Sequence, residues 1–151
     1  MLCALFVGRG YTRYVERRIA ETEGFVAFLN HASQSISMYL TPPARLCEGF
    51  CCESLEKSGF LGAVRRNNSL SDAFSECSSR LSVGGEAKKL LSECFRDFGQ
   101  GYKEQEIART VRYCSGLTEI LERERRDLVQ NARMVTTLLL AGAAGIFILL
   151  L

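Results

Sequence analysis

Apolar positions recur at spacings of three and four along most of this chain, and no stretch alternates as a strand would. The first such stripe, Phe25, Phe28, Leu29, Ala32, Ile36, Tyr39 and Leu40, predicts a helix from near the N-terminus to about Tyr39. Thr41 then has the character of an N-cap, with Pro42-Pro43 in the first turn of a second helix, where a missing N–H costs nothing. That helix would carry Leu46, Phe50 and Leu55 to about Glu56, and Ser58-Gly59 would end it. A short apolar piece, FLGAV, and a basic turn, RRNN, lead to Ser69, an N-cap with Asp72 in the capping-box position. Leu70, Ala73, Phe74, Cys77 and Leu81 form the stripe of this third helix, and Gly84-Gly85 stops it. A fourth helix carries Leu90, Leu91, Cys94, Phe95 and Phe98 up to the stop at Gly99–Gly101. The fold class these patterns predict is all-α.

From about Lys103 the pattern changes. Ile107, Val111, Cys114, Thr118, Leu121, Arg125, Leu128, Ala132 and Val135 step by four and three, a seam along one side of a straight helix that Arg125 breaches. No stop signal separates this seam from the uncharged run 134–151, so a single helix of about 45–50 residues is expected to continue into it. A helix of that run's length rises about 27 Å, close to the roughly 30 Å hydrocarbon thickness of a bilayer. The layout predicts a cytoplasmic helical bundle at 9–133 and a transmembrane helix at 134–151. Residues 1–8, MLCALFVG, form a short apolar segment that is a candidate for a reduced membrane anchor. Ala141 and Gly145 stand four apart in the apolar run, a spacing that lets two helices approach closely in lipid.

Charge reinforces this division. All 19 Lys/Arg and 17 Asp/Glu lie between Arg9 and Arg133. Arg9, Arg13, Arg17 and Arg18 follow the first apolar segment, and Arg123, Arg125, Arg126 and Arg133 precede the second. By the positive-inside rule both flanks place 9–133 in the cytoplasm. A net charge of +2 is too small to argue for nucleic acid.

Candidate chemistry is sparse. The 7 cysteines are odd in number and scattered over predicted helices, a poor disulfide framework. Cys47, Cys51 and Cys52 have no second pair to complete a zinc site, and the single histidine, His31, is distant in sequence, so helix packing is the expected role. Gly8-Arg9-Gly10 lacks the rest of a dinucleotide loop. Acidic pairs such as Glu104/Glu106 and Glu122/Glu124 are two apart, and we expect them to be solvated. No catalytic residue, cofactor or metal site is expected, and a non-enzymatic role follows. Partner docking would fall to exposed charges at inter-helix turns: Arg65, Arg66, Lys88, Lys89 and Lys103. The seam of the last helix leaves a second option, a tail-anchored adaptor that pairs through that helix, with self-association as one form of it.

Three stretches, RIAETEGFVAFLNHASQSISMYLTPP, FRDFGQGYKEQE and LTEILERERRDLVQNARMVTTLLLAGAAGIFILLL, together resemble the stage III sporulation protein AB family. Met38-Tyr39-Leu40-Thr41-Pro42 is close to a helix-ending step of that family, Phe98-Gly99 to the step before its last helix, and Arg133-Met134-Val135 to its entry into the membrane run. The chain departs from the family at the N-terminus, where members usually open with a full membrane helix, and at Gly99–Gly101, where the turn is shorter and less acidic. The resemblance implies a membrane platform of the channel apparatus between mother cell and forespore, similar in its cytoplasmic domain to the helical F-domain of type II secretion platform proteins. It further implies docking of a cytosolic secretion-type ATPase, stage III sporulation protein AA, alongside other stage III sporulation membrane proteins, on the mother-cell membrane. No catalytic residue carries over.

Overall fold

The computed structural model describes the backbone of residues 2–38, 43–67 and 69–149, and the side chains of residues 12–36, 45–67, 69–131 and 134. Every element among the described residues is helical: α1 Leu2–Met38, a 3-10 turn Pro43–Cys47, α2 Glu53–Lys57, α3 Phe60–Arg66, α4 Leu70–Cys77, α5 Gly85–Arg96 and α6 Lys103–Leu149. The two long helices, 37 and 47 residues, form an antiparallel stem. Its register is fixed by cross-links: Arg18 meets Glu124, Glu23 meets Arg125, and the Cys114 thiol donates to Asn30 Oδ1 at 3.3 Å. The short helices α2–α5 wrap one side of that stem.

The core lies between the stem and the wrap. Phe25 and Phe28 of α1 are fully buried against Phe60 of α3, with ring centroids 4.9 and 5.5 Å away. Phe95 of α5 stacks on Phe60 at 5.6 Å, and Phe74 of α4 meets Phe95 edge-on at 5.4 Å. Each such pair contributes about 0.5–1.5 kcal/mol beyond the area it buries. This cluster ties three short, individually unstable helices, α3, α4 and α5, to the stem. Gly24 lets α2 press close on α1: a Cβ there would stand 2.8 Å from Ser54 Oγ and 2.9 Å from Leu55 Cγ of α2.

Several expectations meet the structure directly. Ser69 caps α4, its Oγ accepting from the Asp72 N–H at 3.4 Å. Leu70, Ala73, Phe74, Cys77 and Leu81 are all buried, as the stripe predicts. The cap expected at Thr41-Pro42 lies outside the described residues.

The second predicted helix is divided. The 3-10 turn ends at Cys47, and Gly49 takes φ +81, a left-handed conformation that α-helix cannot absorb. The piece FLGAV is itself a helix, α3, released from α2 by Gly59 at φ +84. Its apolar residues face inward at helical spacing, and its brevity hid the period.

The seam on α6 is also rotated from the one predicted. Cys114 and Leu121 are buried as expected, but Val111 is 55% exposed and Arg125 is exposed. The buried line runs instead through Glu106, Thr110, Cys114, Leu117, Ile120 and Leu121. It centres on Leu117 because α6 is held between α1 and α5, and it takes in polar positions whose groups are satisfied locally. Thr110 Oγ1, for instance, donates to the Glu106 carbonyl at 2.8 Å.

Candidate functional site: surfaces and polar clamps

Among the described residues no group of three or more His, Cys, Asp or Glu could hold a metal ion. Cys47, Cys77, Cys94 and Cys114 are buried. Burial pushes the Cys77 thiol up to about 11 and the Cys94 thiol up to about 12, so both are protonated at neutral pH and poor nucleophiles. Cys51 is exposed, and Cys52 lies 3.2 Å from Ser54 Oγ. His31 rests against the Phe50 ring with centroids 5.3 Å apart.

The positions proposed for docking are dispersed. Arg65 and Arg66 end α3, Lys88 and Lys89 lie in the first half of α5, and Lys103 opens α6. Arg65 donates to Glu56 at 2.8 Å, and Arg66 to Glu76 at 2.6 Å, where Asn67 also donates at 3.0 Å. Lys88 Nζ donates to the Ser78 carbonyl at 2.9 Å, closing the C-terminal end of α4. Lys89 and Lys103 are exposed and make no ion pair among the described residues. The neighbourhoods of Ala141 and Gly145 lie outside the described side chains, although both positions belong to α6.

Three carboxylates that hydrophobic spacing does not mark hold the assembly in register. Glu21, buried in α1, accepts from Arg17 Nε at 3.0 Å and from the Ser82 N–H at 2.6 Å, pinning the α4–α5 linker to the stem. Glu106, expected to be solvated, is buried: it accepts from the Gly101 N–H at 2.8 Å and the Gly99 N–H at 3.2 Å, and Arg109 approaches it at 3.3 Å. Glu124, also expected in solvent, is only 10% exposed and accepts from Arg18 Nε at 2.8 Å. Each exchanges its hydration for charge-assisted bonds, the condition for burying a carboxylate. For Glu106 a signal was present, an acid in the first turn of a helix after a glycine-rich turn. For Glu21 the i,i+4 spacing from Arg17 was a local signal, but its partner Ser82 stands 61 residues away and Arg18, the partner of Glu124, 106 residues away, and no local pattern announces those.

Among the described residues no helix is long and apolar enough to cross a membrane. Met134, 55% exposed, is the last residue whose side chain is described, so the transmembrane segment expected at 134–151 rests on residues beyond that description. The stem nonetheless sets a direction. Its antiparallel register brings the start of α1 level with about residue 140 of α6, counting 1.5 Å per residue from the Arg18–Glu124 crossing. The two apolar ends of the chain therefore lie at the same end of the bundle.

Compared with known proteins, residues 1–151 match the family model described as stage III sporulation protein AB (spore_III_AB). No curated protein and no solved structure matches the chain.

Proposed function

Since the chain belongs to the stage III sporulation protein AB family and so has a role in sporulation, we propose that it is a non-enzymatic membrane platform of the channel between mother cell and forespore. The observation that supports this most is the antiparallel stem: one pair of helices carries the helical wrap on one side and both apolar segments at one end. On this reading 134–151 crosses the mother-cell membrane, 1–8 meets the same membrane from the cytoplasmic side, and 9–133 stands in the cytoplasm. Ala141 and Gly145 would serve helix contact in lipid with a second copy or with other stage III sporulation membrane proteins.

The cytoplasmic bundle would dock a secretion-type ATPase, stage III sporulation protein AA. Of the docking positions, Arg65, Arg66 and Lys88 already have internal partners, which leaves Lys89 and Lys103 with ammonium groups available to an acidic surface. Burial of Cys114 and Leu121 inside the chain's own bundle favours this platform over an adaptor that pairs through that seam.

Fractionation of sporulating cells tests the anchorage. The full chain should sediment with membranes, and a chain ending at Arg133 should not. Co-purification with the ATPase should fall at least tenfold in Lys89→Glu/Lys103→Glu while membrane association is kept. Normal spore development in a clean deletion strain would overturn the platform reading.

A further inference from the structure

Charge is spread unevenly along the stem. Residues 9–17 and 125–134 hold six cations, Arg9, Arg13, Arg17, Arg125, Arg126 and Arg133, against two acids, Glu16 and Asp127, a net +4. Residues 18–124 carry the remaining 13 Lys/Arg and 15 Asp/Glu, a net −2. The two cationic segments stand level: counted from the Arg18–Glu124 crossing at 1.5 Å per residue, Arg9 is level with about Arg133 and Tyr14 with about Leu128. The positive excess of the chain therefore forms a collar at the end of the bundle where both apolar segments lie.

Orientation across a membrane requires only that such cations be present. Recognition of an anion requires that they be free. Arg17 donates to Glu21 at 3.0 Å, Arg18 to Glu124 at 2.8 Å, and Arg125 to Glu23. Arg13 and Arg126 are exposed and make no ion pair among the described residues. Glu16 and Asp127 are exposed and form no ion pair there either, so they reduce the field of the collar without capping either arginine. The same level of the stem is apolar at its surface: Tyr14 and Val129 are each 52% exposed, and Met134 is 55% exposed. A tyrosine and aliphatic side chains among unpaired arginines match the chemistry of a bilayer interface, apolar beneath and anionic at the headgroups. Arg126 stands about 12 Å from Met134, a depth that the headgroup layer and a Debye length of about 8 Å together cover.

On the reading that 134–151 crosses a membrane, we propose that this collar, through Arg13 and Arg126, selects anionic phospholipids around the stem. Tyr14 and Val129 rest against the lipid surface, and the two guanidiniums answer the net negative charge that a zwitterionic headgroup lacks. Two free guanidiniums do not anchor a chain by themselves; they choose the neighbours of a chain already held by 134–151.

The test places a photocrosslinking phenylalanine analogue at Tyr14 of the full-length protein, reconstituted in vesicles of equal phosphatidylglycerol and phosphatidylcholine with the same acyl chains. Flotation reports membrane association, and mass spectrometry of the crosslinked protein reports which lipid was captured. The expected result is a floating protein with phosphatidylglycerol adducts at least threefold over phosphatidylcholine. The ratio should fall to near one in Arg13→Gln/Arg126→Gln and, in the parent, at about 1 M salt, where the Debye length is about 3 Å. Both arginines are exposed, so the thermal midpoint of that variant should stay within about 2 °C of the parent. Should it not, Arg13→Lys/Arg126→Lys must keep the preference while salt abolishes it. A protein that floats with no lipid adduct, with a ratio near one, or with a preference indifferent to both charge and salt overturns the lipid selectivity and leaves the membrane reading standing. A protein that does not float overturns both.

Discussion

Arg18 of α1 donates to Glu124 of α6 at 2.8 Å, and Gly84 of the α4–α5 linker lies directly against the pair. A Cβ on Gly84 would fall 2.1 Å from Arg18 Nη2 and 2.9 Å from Glu124 Oε1. Glu124 Oε2 is buried with no hydrogen-bond partner among the described residues, so the carboxylate relies on Arg18 for its neutralisation. Arg18→Ala should cost about 2–4 kcal/mol, because a charge left alone in a half-dry site is penalised more than the pair is rewarded. Arg18→Met/Glu124→Leu should recover most of that loss. Urea melts in detergent of the single and double variants check both statements, and a double variant no better than Arg18→Ala would refute them.

Gly84→Ala should be destabilising in the parent by about 1–3 kcal/mol and close to neutral once Arg18 is alanine. The coupling is measurable as a double-mutant cycle. Strict additivity would mean the linker does not press on the pair.

Glu106→Gln should loosen the α5–α6 turn rather than the whole bundle. The charge that draws in the Gly99 and Gly101 N–H groups is removed while the shape is kept. We expect a loss of about 1–2 kcal/mol and faster amide exchange at 99–101, with exchange in the Phe60–Phe95 core unchanged.

Leu121→Asp should unfold the bundle, because Leu121 is 6% exposed and a carboxylate there would lack partners. Val111→Asp should leave the thermal midpoint within about 2 °C. Equal effects at the two positions would restore the seam expected from spacing alone.

The buried thiols give an alkaline signature. Cys94 titrates near 12 in the fold because burial disfavours its thiolate, against 9.0 as its ordinary value. Above pH 9 the unfolded chain gives up this proton first, so stability falls as pH rises from about 9 towards 12 and is fully present below that window. Each such group contributes up to about 1.4 kcal/mol per pH unit there. Cys94→Val should flatten the slope, read as the urea midpoint at pH 8 and pH 10.5. An unchanged slope would mean that Cys94 opens to solvent in the fold.

Where a helix is long or sharply capped, the sequence was enough to place it. Ser69 with Asp72 marks the start of α4, and the unbroken pattern after Lys103 marks α6. The wrap was harder to read, because α2 and α3 are 5 and 7 residues long and too short to display a period. Burial on α6 departs from the spacing for a different reason. Apolar spacing counts Val111 and ignores Glu106, whereas the fold buries Glu106 by giving it the N–H groups of the preceding turn. Such an exchange depends on tertiary partners, and a pattern of hydrophobicity carries no trace of it.

Helix α6 runs from Lys103 to Leu149 without a break, a span of about 70 Å. It therefore acts as a lever whose fulcrum is the packing around Leu117. From Leu117 to Leu149 the arm is about 48 Å, so a tilt of only about 5° sweeps the far end sideways by about 4 Å. A tilt imposed on the packed half of the helix is thus felt at the opposite tip, with no joint between to absorb it.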